Sequence, residues 1–273
     1  MKTLIVVPAR YGSSRFPGKP LAEIAGRSMI SRVALRAGAA AKALGDAAYA
    51  VATDDARIAD HCKALGLNVV ITATGLASGS DRALAAARAL GADPEFIVNL
   101  QGDAPFTPVD YITRIVAALE TTNADAATPV IRLDWAALGA LREAKRATPF
   151  SGTTCVFDAQ GKALWFSKTI IPAIRDEASL RKTSPLSPVW RHVGLYGFRR
   201  AALERFTKLP ESPLEKIEGL EQLRLLENGM TVQCVAVDAP KISTAGIDTK
   251  EDLARVEALI ATNGDPDAEF FTK

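Results

Sequence analysis

Residues 3–7, Thr-Leu-Ile-Val-Val, read as a buried strand that empties at once into a loop rich in glycine and positive charge. Gly12 and Gly18 let that backbone pass close to a ligand. Arg10, Arg15 and Lys19 supply charge and donors for phosphate oxygens, bidentate in the case of arginine. A strand followed directly by such a loop is where an open α/β sheet binds nucleotides. A Walker A loop is excluded: five residues separate Gly12 from Gly18, and Pro20 stands where a magnesium-binding Ser or Thr should follow Lys19. The pattern G-x-G-x-x-G is absent as well. The competing reading is a solvated basic surface loop.

The pattern that follows dictates the architecture. Strands at 48–52, 68–72, 96–100 and 125–130 alternate with helices at 28–44, 55–65, 80–90 and 109–119. Ser28 is a candidate N-cap, and Thr53-Asp-Asp55 can cap the helix to Leu65. Strands alternating with helices of this length mean βαβ units and a parallel sheet. Right-handed crossovers then bring the strand ends to one rim, where the loop 10–19, the residues after 72 and Gln101-Gly-Asp103 converge.

After about residue 133 the texture changes. Apolar runs 153–157 and 163–166 flank Asp158-Ala-Gln-Gly161, a hairpin signal. Residues 172–190, with three prolines, read as a loop, and 193–198 as a strand. Ser212-Pro-Leu-Glu215 is a capping box with proline at the first helical position. The helix it opens is expected to turn Leu214, Ile217, Leu220 and Leu223 inward, with Glu221 bordering that face. A strand at 231–237 and a helix from about 249 to 260 close the fold; the tail 262–273 lacks periodicity and is expected to be frayed.

With 273 residues, 48% hydrophobic and 23% charged, the chain can bury a large core, and its net charge of +2 offers no global field for nucleic acid. Cys62, Cys155 and Cys234 form no CxxC and suggest buried thiols in a reducing compartment. No apolar run approaches the ~20 residues of a membrane helix, and the N-terminus lacks signal-peptide features. A cytoplasmic protein without nucleic-acid or membrane partners is therefore expected.

Asp103, just past a buried strand on the ligand rim, suits magnesium, which takes one or two carboxylates plus substrate phosphates; capping the next turn is its other reading. Asp248 is a second candidate, balanced against capping the last helix by Asp248 or Thr249. His192 stands at the mouth of strand 193–198, with a structural role as its alternative; His61, mid-helix, reads as scaffold. No Ser/His/Asp or Cys/His arrangement and no zinc spacing is visible.

Pro8-Ala-Arg-Tyr-Gly-Ser-Ser-Arg-Phe-Pro-Gly-Lys-Pro20, Ala52-Thr-Asp54, Ser78-Gly-Ser-Asp-Arg82, Gln101-Gly-Asp103, Arg191-His-Val-Gly-Leu-Tyr-Gly197, Ser212-Pro-Leu-Glu215, Leu220-Glu-Gln-Leu-Arg224 and Gly246-Ile-Asp-Thr249 together resemble the 3-deoxy-manno-octulosonate (Kdo) cytidylyltransferases, over roughly residues 3–257. The first loop alone would suit the broader sugar-nucleotide synthetases; the segments around His192, Ser212 and Leu220 narrow it to the Kdo type. The resemblance implies a Rossmann-like α/β fold with a mostly parallel sheet, and the reaction of CTP with Kdo to CMP-Kdo and diphosphate, with Mg2+, in a homodimer. It implies one nucleotidyltransferase domain over 1–261: a nucleotide-binding core 1–132, an inserted β-rich lobe for sugar and dimer contacts 133–245, and a closing helix 246–261. It assigns Ala9, Arg10, Gly12, Ser13, Ser14, Lys19, Ser78, Gly79, Arg82, Gln101 and Asp103 to the nucleotide, and Arg10, Lys19 and Asp103 to catalysis. Asp103 and Asp248 would hold the metal. Arg15, Gln101, His192, Tyr196, Glu221 and Gln222 would contact the sugar acid, joined by Arg175.

The chain departs from the family pattern in places. Ala104 replaces the glutamate of Gln-Gly-Asp-Glu-Pro, Lys168 stands where arginine is common, and Ser151-Gly-Thr-Thr-Cys155 does not match the usual strand entry. An 8-amino Kdo analogue as acceptor, a sialate-type acid, and a non-catalytic nucleotide-binding protein are the alternatives.

Overall fold

The computed structural model describes residues 1–12, 16–240 and 246–270. The first half follows the expected alternation. β1 (Thr3–Ala9) is followed by a two-stranded hairpin, β2 (Glu23–Ile24) and β3 (Arg27–Ser28), then α1 (Met29–Leu44), β4 (Ala47–Thr53), α2 (Ala56–Ala64), β5 (Val69–Ile71), α3 (Gly79–Ala89), β6 (Phe96–Asn99) and α4 (Val109–Thr121). Ser28 and Asp55 cap α1 and α2 as their positions suggest. β5, β4, β1 and β6 pair side by side, all parallel.

Both faces of this sheet are covered, which is why its strands read as unbroken apolar runs. Ile5 and Val7 of β1 pack into one layer with α1, α2 and α4. Leu4 and Val6, pointing the other way, pack with α3.

The second half continues as β7 (Ala126–Asp134), α5 (Trp135–Ala147), β8 (Thr154–Phe157), β9 (Ala163–Ser167), α6 (Glu177–Thr183), β10 (Leu186–His192), β11 (Tyr196–Arg199), α7 (Arg200–Phe206), α8 (Pro213–Glu218), α9 (Gln222–Glu227), β12 (Val232–Val237) and α10 (Lys250–Asn263). The strands extend the same sheet in the order β6-β11-β7-β10-β8-β9, mostly antiparallel, with β12 parallel to β7. The β8–β9 hairpin forms around 158–161 as expected.

Three expectations need correction here. Residues 172–190 contain α6 and most of β10, despite Pro185 and Pro188; β10 accommodates Pro188 through a register irregularity between Leu186 and Trp190. The strand expected at 193–198 is interrupted: β10 ends at His192 and β11 begins at Tyr196. Opposite the break lies Pro129, which accepts from Val193 N–H at 3.1 Å but has no N–H to return. The Thr128 hydroxyl takes over, donating to the Leu195 carbonyl at 2.8 Å. The helix opened by the Ser212 box stops at Gly219, whose φ of 62° reverses the chain. Leu220 and Leu223 belong to the next turn and are buried, whereas Leu214 and Ile217 are exposed.

The end of the chain also differs from its frayed expectation. α10 packs Val256 and Ile260 on Ile24, Met29 and Phe106. Beyond it, buried Asp267 pairs with Arg32 at 2.6 Å and Arg36 at 2.5 Å, and Asp265 pairs with Arg32 at 2.7 Å. Cys62, Cys155 and Cys234 are buried and unpaired, and Cys234 touches Cys155, a contact that together with burial raises its pKa.

Asp267→Ala leaves two buried guanidinium groups short of a carboxylate, so it should cost roughly 3–5 kcal/mol in denaturant unfolding. A loss below about 1 kcal/mol would show that the docked tail adds little to stability.

Candidate functional site

The rim formed by the ends of β1, β4 and β6 carries the first part of the site. β1 and β6 run so close beyond their last pairs that a Cβ on Gly102 would lie 2.5 Å from the Pro8 carbonyl oxygen. Only glycine passes there, and the passage sets Asp103 beside the loop after β1. Lys19 Nζ donates to Asp103 Oδ2 at 2.7 Å and to Asp248 Oδ1 at 3.0 Å. Burial opposes the charge on Lys19, but the two carboxylates outweigh it and its pKa is raised.

Asp248 reaches this point because Thr249, not Asp248, caps α10. The Thr249 hydroxyl accepts from Asp252 N–H, and Asp252 accepts in turn from the backbone of Asp248 and Thr249. Ile247 N–H donates to the Asp103 carbonyl at 2.9 Å, fastening the two metal-ligand candidates together. A Cβ on Gly246 would stand 3.2 Å from Asp103 Oδ1 and would press on that carboxylate. Two carboxylates thus converge on one cation, a donor set of hard oxygens that fits magnesium. Among the described residues no cluster of three or more His, Cys, Asp or Glu offers another metal site.

A cavity of about 590 Å³ opens on one side of this trio. Ala9, Arg10, Gly12 and Lys19 line it from the first loop, Ser78, Gly79 and Arg82 from the start of α3, and Gln101, Asp103 and Asp248 from the far wall. The amino end of α3, an 11-residue helix closed by a Ser78–Asp81 capping box, faces this space and favours negative charge. Arg82 is committed to the scaffold: its guanidinium donates to Thr72 Oγ1 at 2.7 Å and Asp54 Oδ2 at 3.0 Å. Ser13, Ser14 and Arg15 lie outside the described residues.

A second cavity of about 480 Å³ lies on the other side and shares Gln101, Asp103 and Asp248 with the first. His192, Tyr196 and Gln222 line it. Arg175 is exposed and lines neither cavity. His192 owes its place to the break between β10 and β11: its Nε2 meets Thr128 Oγ1 at 2.8 Å. That hydroxyl spends its proton on a carbonyl, so Nε2 carries the imidazole hydrogen and Nδ1 remains an acceptor. Burial, with Lys168 nearby, pushes the His192 pKa down to about 3. His192 is therefore a neutral hydrogen-bonding group at physiological pH. His61 instead bonds Ser28 Oγ at 2.8 Å, as scaffold.

Glu221, expected at the sugar acid, lines neither cavity; it accepts from Ser80 Oγ at 3.1 Å. Burial raises its pKa, against the hydrogen bonds from serine. Its Oε1 and Gln222 Nε2 are buried without a hydrogen-bond partner. Such orphans are costly, and a polar ligand in the second cavity, which Gln222 lines, could satisfy the Gln222 amide. Two further cations line the cavity, Lys168 and Arg191. Sequence reasoning assigned Arg191 no role, although its place beside His192 at the strand mouth was a usable signal.

A family model described as Cytidylyltransferase matches residues 4–232. The 3-deoxy-manno-octulosonate cytidylyltransferase of Maricaulis maris (strain MCS10) is 43% identical over 269 residues, covering 97% of this chain and 99% of that protein. That of Xylella fastidiosa (strain M12) is 44% identical over 262 residues, covering 94% and 96%. A solved structure of CMP:2-keto-3-deoxy-manno-octonic acid synthetase complexed with CTP superposes with a TM-score of 0.80 at 34% identity, covering 96% of this chain and 99% of that one.

A histidine whose pKa falls on folding binds its proton more readily when unfolded, so acid destabilises the fold as pH drops from its ordinary 6.5 towards about 3. His192→Gln should flatten this fall, by at most about 1.4 kcal/mol per pH unit in that window, in unfolding curves recorded from pH 7 to 4. Curves that stay parallel for the two proteins would refute the buried neutral imidazole.

Proposed function

The chain belongs to the 3-deoxy-manno-octulosonate cytidylyltransferase family, and from that premise we propose that it transfers CMP from CTP to the anomeric hydroxyl of Kdo and releases diphosphate. The observation that carries this reading is the wall common to both cavities: Gln101, Asp103 and Asp248 face a phosphate-type cradle on one side and a polar, histidine-lined pocket on the other. A nucleotide and an acceptor in these cavities meet at that wall.

The first loop holds the triphosphate through its backbone, Arg10 and Lys19, with cytidine towards Ser78 and Gly79. Kdo occupies the second cavity, where His192, Tyr196, Glu221 and Gln222 orient its hydroxyls. The anomeric oxygen attacks the α-phosphorus in line; the new C–O–P linkage forms as the bond to the β-phosphate oxygen breaks, and the hydroxyl proton passes to solvent. Charge spreads over phosphate oxygens, and fixed cations stabilise it, so positioning and electrostatics supply most of the acceleration. Asp103 and Asp248 would hold Mg2+, which neutralises phosphate charge and lowers the pKa of the attacking hydroxyl when bound. His192, neutral and weakly basic, orients the acceptor and does not remove its proton.

The reading extends to a homodimer in the cytoplasm, in the route to lipopolysaccharide. The unpaired thiols support a reducing compartment. No helix is long and apolar enough to cross a membrane among the described residues.

Diphosphate release with magnesium, measured across nucleoside triphosphates and sugar acids, tests the reading. Turnover with CTP and Kdo supports it; turnover with sialate alone, or tight CTP binding without turnover, replaces it. Asp103→Asn should lower kcat by at least about a hundredfold while the fold is retained by circular dichroism; near-normal turnover at saturating magnesium removes the metal assignment. Lys19→Ala should lower kcat by about a hundredfold or more through weaker leaving-group stabilisation, and an unchanged kcat argues against that role.

A further inference from the structure

The turn after β4, residues 53–57, reaches the first loop on one side and α3 on the other, yet lines neither cavity. It begins at Thr53, which pairs with Ala9 in the parallel register of β4 and β1. Thr53 Oγ1 accepts from Asp55 N–H at 3.2 Å and so bends the chain into the cap of α2. The two successive acids then take different partners. Asp54 Oδ2 accepts from Arg82 at 3.0 Å, and Arg82 is a buried residue that lines the nucleotide cavity from α3. Asp55 holds Arg57 in a two-point fork, Nε to Oδ1 at 3.0 Å and Nη2 to Oδ2 at 2.6 Å.

With its edge spent on Asp55, the Arg57 guanidinium lies over the Tyr11 ring, its central carbon 3.3 Å from the ring centroid. The Arg57 side chain is 60% exposed, and as an ion pair alone it would contribute little. The fork, however, fixes the plane of the guanidinium, and the ring that meets it comes from the first loop. Tyr11 in turn joins the two ends of that loop. Its carbonyl accepts from Gly18 N–H at 3.0 Å, and a Cβ on Gly18 would stand 3.2 Å from the ring carbon Cζ. Gly18, with a φ of 72°, opens the single turn Lys19–Leu21. Arg10 and Gly12, the sequence neighbours of Tyr11, line the nucleotide cavity, as does Lys19.

We propose that residues 53–57 form a bracket for the nucleotide site. Arg57 is the positioning residue that holds the first loop through Tyr11, and Asp54 the one that holds α3 through Arg82. The inference rests on the functional reading above and adds two positioning residues to it. The physical reason is preorganisation. A glycine-bearing loop that orders only when it meets phosphates gives up backbone entropy at that moment, and the loss is subtracted from affinity. A ring clamped at residue 11 and bonded to residue 18 sets Arg10 and Lys19 before CTP arrives, so that cost is met in folding. CTP affinity thus depends on side chains outside the cavity, whereas the acceptor cavity beyond Asp103 is indifferent to them.

Calorimetric titration of the full-length protein with CTP and magnesium, together with steady-state kinetics on CTP and Kdo, provides the test. Arg57→Ala should raise Kd and KM for CTP at least about threefold, leave KM for Kdo within about twofold, and keep the circular dichroism spectrum unchanged. Tyr11→Leu should reproduce the effect on CTP, and Tyr11→Phe, which keeps the ring, should recover most of it. Adding Arg57→Ala to Tyr11→Leu should raise Kd by less than about twofold more, because both remove one contact. Asp54→Asn should raise Kd for CTP through Arg82. A smaller rise with Arg57→Ala, an equal rise in KM for Kdo, full additivity with Tyr11→Leu, or a Tyr11→Phe as impaired as Tyr11→Leu overturns the Arg57 arm. A Kd unmoved by Asp54→Asn overturns the Asp54 arm. If Arg57→Ala does not fold, Tyr11→Leu against Tyr11→Phe decides. A wild-type protein that binds no CTP overturns the functional reading; tight CTP binding that the variants do not move overturns this inference only.

Discussion

The contact of Lys19 with Asp103 and Asp248 ties together three parts of the chain that are remote in sequence. The lysine comes from the loop after β1, one acid from the end of β6, the other from the turn into α10. The two acids are placed by local devices: the close passage at Gly102, the capping box at Thr249 and the hydrogen bond from Ile247 N–H to the Asp103 carbonyl. The two cavities exist as separate, adjoining spaces because this trio stands between them. The same arrangement explains why α10 and the docked tail matter to a site they do not touch. Arg32 and Arg36 hold the tail beyond α10, and α10 carries Asp248 at its head.

The acceptor side is governed by a different kind of constraint, a missing N–H. Pro129 cannot complete the ladder between β7 and the strand beside it, so β10 and β11 separate and Thr128 bridges the gap. His192 is thereby held in one tautomer with its second nitrogen available. The pocket it lines is bordered by Gln222, whose buried Nε2 the protein leaves unmet, and by two cations. A folded chain bears that cost where a ligand supplies the partners.

Much of the first half was legible in the sequence because each of its elements is decided locally. Unbroken apolar runs of strand length, helical periodicity and good N-caps all point the same way between residues 3 and 121, and the structure follows them within a few residues. The second half was less legible because its elements depend on distant neighbours. Nothing in residues 186–192 reports that β7 and β8 wait on either side, so two prolines outweighed the strand signal. Leu214 and Ile217 carry the spacing of an inward face, but Gly219 ends their helix before that face meets the core. Asp265 and Asp267 look like a polar tail until Arg32 and Arg36 are found buried in α1.

The sequence alone determined the parallel α/β core, the cationic glycine-bearing loop after its first strand, the placement of Asp103 at a strand end, and, through spaced motifs, the family. These depend on residues close to one another in the chain, whose backbone preferences and charges act over a few positions. Tertiary structure alone decided that Asp248 turns to Lys19 while Thr249 caps, that His192 stays neutral, and that Arg191 borders the acceptor cavity with no ion pair among the described residues. Each of these is a matter of burial and of which group stands opposite, and those are set by segments tens to hundreds of residues away.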